Sequence, residues 1–273
     1  RLVLGKVLNL LMSGIKKMSE TKRILILGSS GQIGAYLTEY FKKKDYDVRE
    51  FDIVNGEDQD IRKFESSTLH AAISTADFIF FLAFDVGGSR YLKKYQHTFD
   101  FIHNNSRIMV NAFDYIKRYE KPFVFASSQM SNMGHSPYGV LKNVGELYTK
   151  SLNGLVVKFW NIYGIEKDMD KSHVITDFIK KGFETGTIDM ITDGTEEREF
   201  LYAEDCCEAL DTVMSKYSEF TSDNDLHITS GNSTSILEIG REIQKLFKGI
   251  GKEIEVVPSE EKDVVQKDAR NIA

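Results

Sequence analysis

Tyr138 and Lys142 lie four residues apart, so on a helix the phenol and the ammonium share one face a turn from each other. A tyrosine with its usual pKa of about 10 is a poor base at neutral pH, and a neighbouring cation stabilises its phenolate. The pair reads as a tunable proton acceptor, with a half-buried surface pair as the plainer alternative. Ser127 and Ser128 end the apolar run Phe123-Val124-Phe125-Ala126 and bring a hydroxyl toward the tyrosine helix, unless they serve only as a strand-to-loop cap.

A second constellation is Gly28-Ser29-Ser30-Gly31-Gln32-Ile33-Gly34, between a short apolar run and a helical stripe. Gly28 permits a tight turn, Gly31 lets the backbone approach a pyrophosphate and Gly34 lets helix pack on strand, while helix N–H groups face the anion. Ser30, Gln32 and Ile33 belong to that loop and count with it as dinucleotide contacts. Asp52 ends the second strand, eighteen residues after Gly34, where a carboxylate accepts bonds from the adenosine ribose hydroxyls and repels a 2′-phosphate. The expected cofactor is NAD rather than NADP. Asp60 and Ile61 come where a side chain reaches the adenine, although a solvated turn is the commoner use of such an aspartate.

These residues need elements to hold them. Ile24 to Leu27 is a continuous apolar run, the pattern of a strand buried on both faces of a parallel sheet. Leu37, Tyr40 and Phe41 keep helical spacing after it, and Asp47 to Phe51 reads as a second strand. Asp77 to Phe84, Phe123 to Ala126 and Leu155 to Phe159 read as further strands, with helices over about 95 to 118 and over Tyr138 to Ser151. The alternation predicts an α/β chain with a Rossmann-type, doubly wound parallel sheet over residues 18–165, to which 199–218 return. Beyond Asn161 the rhythm is irregular, with helices over Val174 to Gly182, Ala203 to Tyr217 and Ile236 to Phe247 among short strands. Residues 166–198 and 219–273 are expected to form a smaller α+β substrate-binding lobe over the C-terminal strand ends.

Composition sets the outer limits. With 41% apolar residues, 28% charged and only 3 Pro in 273 residues, the chain is neither collagen-like nor broadly disordered. Lys plus Arg number 35 against 41 Asp plus Glu, which leaves no basic footprint for nucleic acid. Cys206 and Cys207 are adjacent and cannot staple distant segments, and no Cys/His spacing suggests a metal, so a reducing cytoplasm is expected. Arg1 to Met12 is broken by Gly5 and Lys6 and is shorter than the ~20 residues of a membrane span, so no membrane partner is expected. Residues 1–17 read as an N-terminal extension before Met18, or equally as an amphipathic helix resting on the domain.

In order along the chain, Gly28 to Gly34, Asp52, Asp60-Ile61, Leu82-Ala83, Asn105, Ser127-Ser128, Tyr138 with Lys142, Asn161-Ile162-Tyr163-Gly164, and Gly194 with Arg198-Glu199-Phe200 resemble the extended short-chain dehydrogenase/reductases, specifically the NAD-dependent nucleotide-sugar epimerases and dehydratases. The resemblance covers about Lys22 to Ala273. It implies that Ser128 bonds a sugar hydroxyl, that Tyr138 takes its proton, and that Lys142 holds the nicotinamide ribose while lowering the tyrosine pKa. It also implies that Leu82 and Ala83 line the cofactor, that Asn105, counted with the cofactor contacts, supports the active-site helix, and that Asn161 and Arg198 contact a nucleotide diphosphate. The activity implied is epimerisation of a nucleotide sugar, most simply by oxidation at C4 and re-reduction from the other face, in the supply of surface polysaccharide precursors. A C4 dehydrogenase, a ketosugar reductase or a dehydratase would use the same residues, and a catalytically silent NAD-binding regulatory protein is the alternative of another class. A homodimer is implied too, with Ile108, Met109, Phe113 and Leu147 as a helical face, or else as part of the monomer core.

The sequence departs from the resembled pattern in three places. Gln129 and Met130 stand where the dehydratases have an acidic pair, and neither exchanges a proton at neutral pH, so 4,6-dehydration is disfavoured; the accessory carboxylate and arginine of the decarboxylases are not assignable. His135 lies in the short segment before Tyr138, near the site or simply solvated. Glu260-Glu261-Lys262-Asp263-Val264 replaces an arginine before Gly-Asp, with Arg270 as the possible substitute, and the chain ends at Ala273, earlier than is typical, so a further piece is allowed for.

Overall fold

A computed structural model describes residues 22–263, so the readings of residues 1–17 and of Arg270 lie outside the described residues. The strands are β1 (Arg23–Leu27), β2 (Asp47–Phe51), β3 (Phe78–Phe81), β4 (Phe123–Ser128), β5 (Leu155–Phe159), β6 (Asn161–Tyr163), β7 (Thr187–Asp189), β8 (Glu197–Tyr202), β9 (Leu226–Ile228), β10 (Ser233–Ser235) and β11 (Glu255–Val257). The helices are α1 (Gln32–Lys43), α2 (Ser67–Thr75), α3 (Ser89–Tyr95), α4 (Phe99–Tyr119), α5 (Pro137–Ser151), α6 (Val174–Glu184), α7 (Ala203–Ser215) and α8 (Ile236–Gly249).

Alternate residues of the central strands enter two different cores, which is why these strands are apolar without alternation. Leu25, Leu27, Ile79, Phe81, Phe123 and Phe125 pack on one face of the sheet beneath α2, α4 and α5. Ile24, Ile26, Phe78, Phe80, Val124 and Val157 pack on the other, with Leu37 and Phe41 of α1 and Cys206, Cys207 and Leu210 of α7. The six-stranded sheet has the order β2-β1-β3-β4-β5-β9, every pair parallel, as a Rossmann-like doubly wound sheet requires.

One expectation is corrected, and one alternative left open is decided. Leu226 to Ile228, assigned above to the smaller lobe, is the edge strand of the large sheet, with Leu226 opposite Val157 and Ile228 buried in the second core. Ile108, Met109 and Phe113 fill the first core, so of the four residues read as a dimer face only Leu147 is exposed, at 62%. The lobe has its own core, with Phe178, Phe247 and Ile243 of the two helices α6 and α8 against Ile188 and Ile254. The start of α8 is fixed by a capping box, in which Ser235 and Glu238 satisfy each other's backbone N–H. Among the described residues no helix is long and apolar enough to cross a membrane.

Helix α5, which carries the tyrosine and lysine, begins at Ser136, whose hydroxyl accepts from Gly139 N at 3.2 Å, with Pro137 in the first turn. Gly145 lets the helix lie flat on β4, because a Cβ there would drive into the Phe125 ring. Gly145→Ala should therefore lower stability by about 1–3 kcal/mol through overpacking. Gly249→Ala, where nothing lies within 4 Å of the added carbon, should leave the thermal midpoint within a degree or two or raise it slightly. Equal melting curves for the two variants would refute this account of the α5 contact.

Candidate active site

The C-terminal ends of β1, β3, β4 and β5 open into one cleft of about 1590 Å³, closed on its far side by Ile191, Glu196, Arg198 and Ile236 of the lobe. Ligand pockets usually measure about 300–1,000 Å³, so this cleft has room for two ligands.

One end is built of backbone. Gly28 has φ +88°, and a Cβ there would lie 2.6 Å from Ala83 N; a Cβ on Gly34 would collide with the Gly28 carbonyl. The close approach of Leu82-Ala83 to the turn thus depends on glycine. Gly31 caps α1 and meets only the Gly28 carbonyl, at 3.4 Å from its absent Cβ, so bare backbone faces the cleft. Nε2 of Gln32 is buried there without a partner among the described residues. A helix N-terminus with an orphaned donor fits the pyrophosphate of a dinucleotide. Asp52 is held by Ser30 N on Oδ2 at 3.0 Å and by Val54 N on Oδ1 at 3.1 Å, so its carboxylate stays beside the glycine turn. Ile33, Asp60 and Ile61 also line this end. Asp60 accepts from Arg62 Nε at 2.8 Å and Nη2 at 2.9 Å, and that guanidinium holds its carboxyl below the usual range. Asn105 does not touch the cleft. It is fully buried, accepts from Asp85 N at 2.7 Å and donates to Asp85 O at 3.0 Å, which fixes the chain leaving β3.

At the floor stand Ser128, Tyr138 and Lys142. The Ser128 hydroxyl hydrogen-bonds the Tyr138 phenol and accepts from Met130 N at 3.2 Å. Burial pushes the phenol up to about 12, and the serine pulls it back. Lys142 is buried, donates to Ala126 O at 2.6 Å and sits 3.8 Å from the centre of the Phe84 ring. Burial pushes its ammonium down to about 7 against the attraction of Glu146. The expectation that Lys142 lowers the tyrosine pKa is therefore corrected for this geometry: the ammonium turns to a carbonyl and a ring, and desolvation governs the phenol. Glu146, which sequence reasoning missed, lies one turn beyond Lys142, accepts from the Ser127 hydroxyl, and is 3.6 Å from the buried Lys158 ammonium, itself 3.0 Å from Asp225.

The lobe side carries Asn161 and Arg198. Nδ2 of Asn161 is buried without a partner among the described residues, whereas Arg198 donates to the Glu197 carbonyl at 2.8 Å and pairs with Asp263. His135 is exposed and does not line the cleft. The histidine on its wall is His173, whose Nδ1 lies 2.5 Å from Oε1 of Glu166 while its backbone N donates to Oε2 at 2.9 Å. The one signal for it was a glutamate seven residues earlier. Lys171 joins Asp85 at 2.9 Å, and Gly88 N donates to Lys171 O at 3.0 Å, so the chain after β3 is stitched to the chain after β6.

Residues 24–228 match the family described as NAD dependent epimerase/dehydratase family. UDP-N-acetyl-alpha-D-glucosaminuronate decarboxylase of Bacillus cytotoxicus is 25% identical, over 86% of this chain and 83% of that protein. GDP-L-fucose synthase of Sinorhizobium fredii is 35% identical over 98 residues, 33% of this chain, and the chain spans only 30% of that protein's length. Among solved structures, an epimerase from Methanothermobacter thermautotrophicus superposes with a TM-score of 0.77 at 20% identity, over 89% of this chain and 81% of that one. UDP-glucose 4-epimerase from Thermotoga maritima superposes with a TM-score of 0.73 at 18% identity, over 89% and 87%. At such identities the superpositions establish the fold.

Lys142 illustrates what the site costs the fold. Its ammonium titrates at about 7 in place and at 10.5 when free. Each unit is worth about 1.4 kcal/mol, so the burden is several kcal/mol; it is full below pH 7 and disappears as pH rises through 10.5. Lys142→Met, which keeps the volume and removes the charge, should raise the thermal midpoint at pH 6, by less at pH 9.5, while abolishing turnover. A lower midpoint than the native protein at pH 6 would overturn this reading.

Proposed function

The chain belongs to the NAD dependent epimerase/dehydratase family, and from that premise we propose that it is a nucleotide-sugar epimerase acting at one hydroxyl-bearing carbon, C4 in the simplest case. The observation that carries the reading is the contact of Ser128 with Tyr138 above a buried Lys142, at the floor of a cleft with room for a dinucleotide and a second ligand. Gly28 to Gly34, Asp52 and Leu82-Ala83 would hold NAD, which would supply reversible hydride acceptance at the sugar carbon. Ser128 orients the sugar hydroxyl, and Tyr138 takes its proton and later gives it back. Lys142 offers its ammonium to the ribose next to the reacting carbon. Phe84, Met130 and Leu82 keep water from the keto sugar between the two half-reactions.

Gln129 and Met130, buried beside Ser128, supply no acid or base, which argues against dehydration. A decarboxylation activated by a neighbouring ketone and an epimerisation at a carbinol carbon both begin by oxidising a ring hydroxyl, so the long-range likeness to a decarboxylase is consistent with this first step. A second reading rests on His173. A histidine backed by a buried carboxylate can remove the proton from a carbon beside the ketone, and would invert that carbon instead of C4.

Residues for a homodimer contact remain on the outer faces of α4 and α5, where Ile102, Val110, Val140 and Leu147 are exposed. Light scattering at micromolar concentration should give twice the chain mass, and a monomer would end that assignment. A panel of nucleotide sugars incubated with the protein and NAD in deuterium oxide tests the chemistry. The expected product has the mass of its substrate and no carbon-bound deuterium, and Tyr138→Phe should lose at least a thousandfold in turnover with NAD affinity kept. Deuterium on carbon that disappears in His173→Gln would establish the second reading, and undiminished turnover in Tyr138→Phe would sink both.

A further inference from the structure

From the residues at the far end of the cleft, and resting on the nucleotide-sugar reading above, we infer that the second ligand carries a guanine base and that Glu196 reads it. Strand β8 works as a ruler. Asn161 faces Phe200 in the parallel β6–β8 pair, Phe200 and Arg198 are alternate residues of β8, and Glu196 immediately precedes the strand with its carbonyl still bonded to Ile236 N, so the alternation carried one residue further puts the three side chains on one side. All four line the cleft. Each pair of residues advances about 6.7 Å, which sets Glu196 about 13 Å beyond the level of Asn161. With the sugar at Tyr138 and the diphosphate at Asn161 and Arg198, the base of an extended nucleotide comes to Glu196.

Glu196 is an incomplete acceptor. Thr192 Oγ1 donates to its Oε1 at 2.5 Å, and its backbone carbonyl accepts from Ile236 N at 3.1 Å, which fixes the residue. Among the described residues its Oε2 is buried with no hydrogen-bond partner. The neighbouring cations are engaged elsewhere, Arg198 with Asp263 and Lys262 with Asp193. A desolvated carboxylate oxygen without a donor is costly, so a ligand that supplies N–H groups gains what the protein leaves unmade.

The base edges differ in what they offer a carboxylate. Guanine presents two adjacent donors, N1–H and the N2 amine, which match two carboxylate oxygens in a charge-assisted pair. Uracil and thymine present one N–H between two carbonyls that a carboxylate repels. Cytosine and adenine present one amine beside a ring nitrogen that is itself an acceptor. The relatives divide between guanosine and uridine diphosphates, so the choice must come from the chain's own residues.

Calorimetric titration of the NAD-saturated protein with GDP, UDP, dTDP and CDP tests the assignment. GDP should bind at least tenfold more tightly than the others. Glu196→Gln, which replaces one acceptor by an amide donor, should weaken GDP at least tenfold and change UDP less than twofold. Tighter binding of UDP, dTDP or CDP to the native protein, or unchanged GDP affinity in Glu196→Gln, would overturn the guanine assignment and leave the nucleotide-sugar reading standing. If none of the four binds, the nucleotide-sugar reading itself fails, and this inference with it.

Discussion

Strands that all run parallel place all their carboxyl ends on one rim, and the cleft is built there. The glycine turn leaves β1, Asp52 follows β2, Leu82-Ala83 follows β3, Ser128 closes β4, and Asn161 opens the strand after β5. Parallel strands need crossover helices, and both faces of the sheet are covered by them. Covering both faces is possible only because the strands carry apolar side chains on both sides. The same run of apolar residues that identifies a strand therefore also determines where ligands meet.

Against that dry scaffold stands a polar floor. Lys142 and Tyr138 are buried among Phe84, Phe125 and Met130, and both are pushed toward their neutral forms. Glu146 counters this for the lysine and is itself anchored by Ser127 and Lys158. The network reaches Asp225, just before the edge strand β9, so a charge balance set at the end of the sheet bears on the helix that carries Tyr138 and Lys142. Glycine at 145 is part of the same arrangement, because it brings the helix close enough for the lysine to reach the Ala126 carbonyl.

Much of this was legible in the sequence because the signals were local. Two-sided burial made β1 and β5 readable to the residue, β2, though mostly exposed, followed from its place after the first helix, and α5 was placed within one residue. Short elements left no period to read. Helix α2 buries only Leu69 and Ile73, α3 buries only Leu92, and β6 and β10 have three residues each. What was lost entirely were partners far apart in the chain. Arg198 and Asp263 are 65 residues apart, and each resembles an ordinary surface charge until the lobe brings them together. His135 drew attention by lying near Tyr138 in sequence, whereas the turn after β6 carries His173 to the cleft wall.

The pairing of cations around the cleft has a kinetic side. Arg90 meets Asp177, Lys171 meets Asp85, Arg198 meets Asp263, and Lys262 meets Asp193, in a chain whose net charge is −6. These four cations, already held by carboxylates, add little to any field that draws an anion in from a distance. At Arg198 an arriving phosphate must exchange places with the Asp263 carboxylate. Discrimination then rests on residence time: the right ligand is the one that is slow to leave.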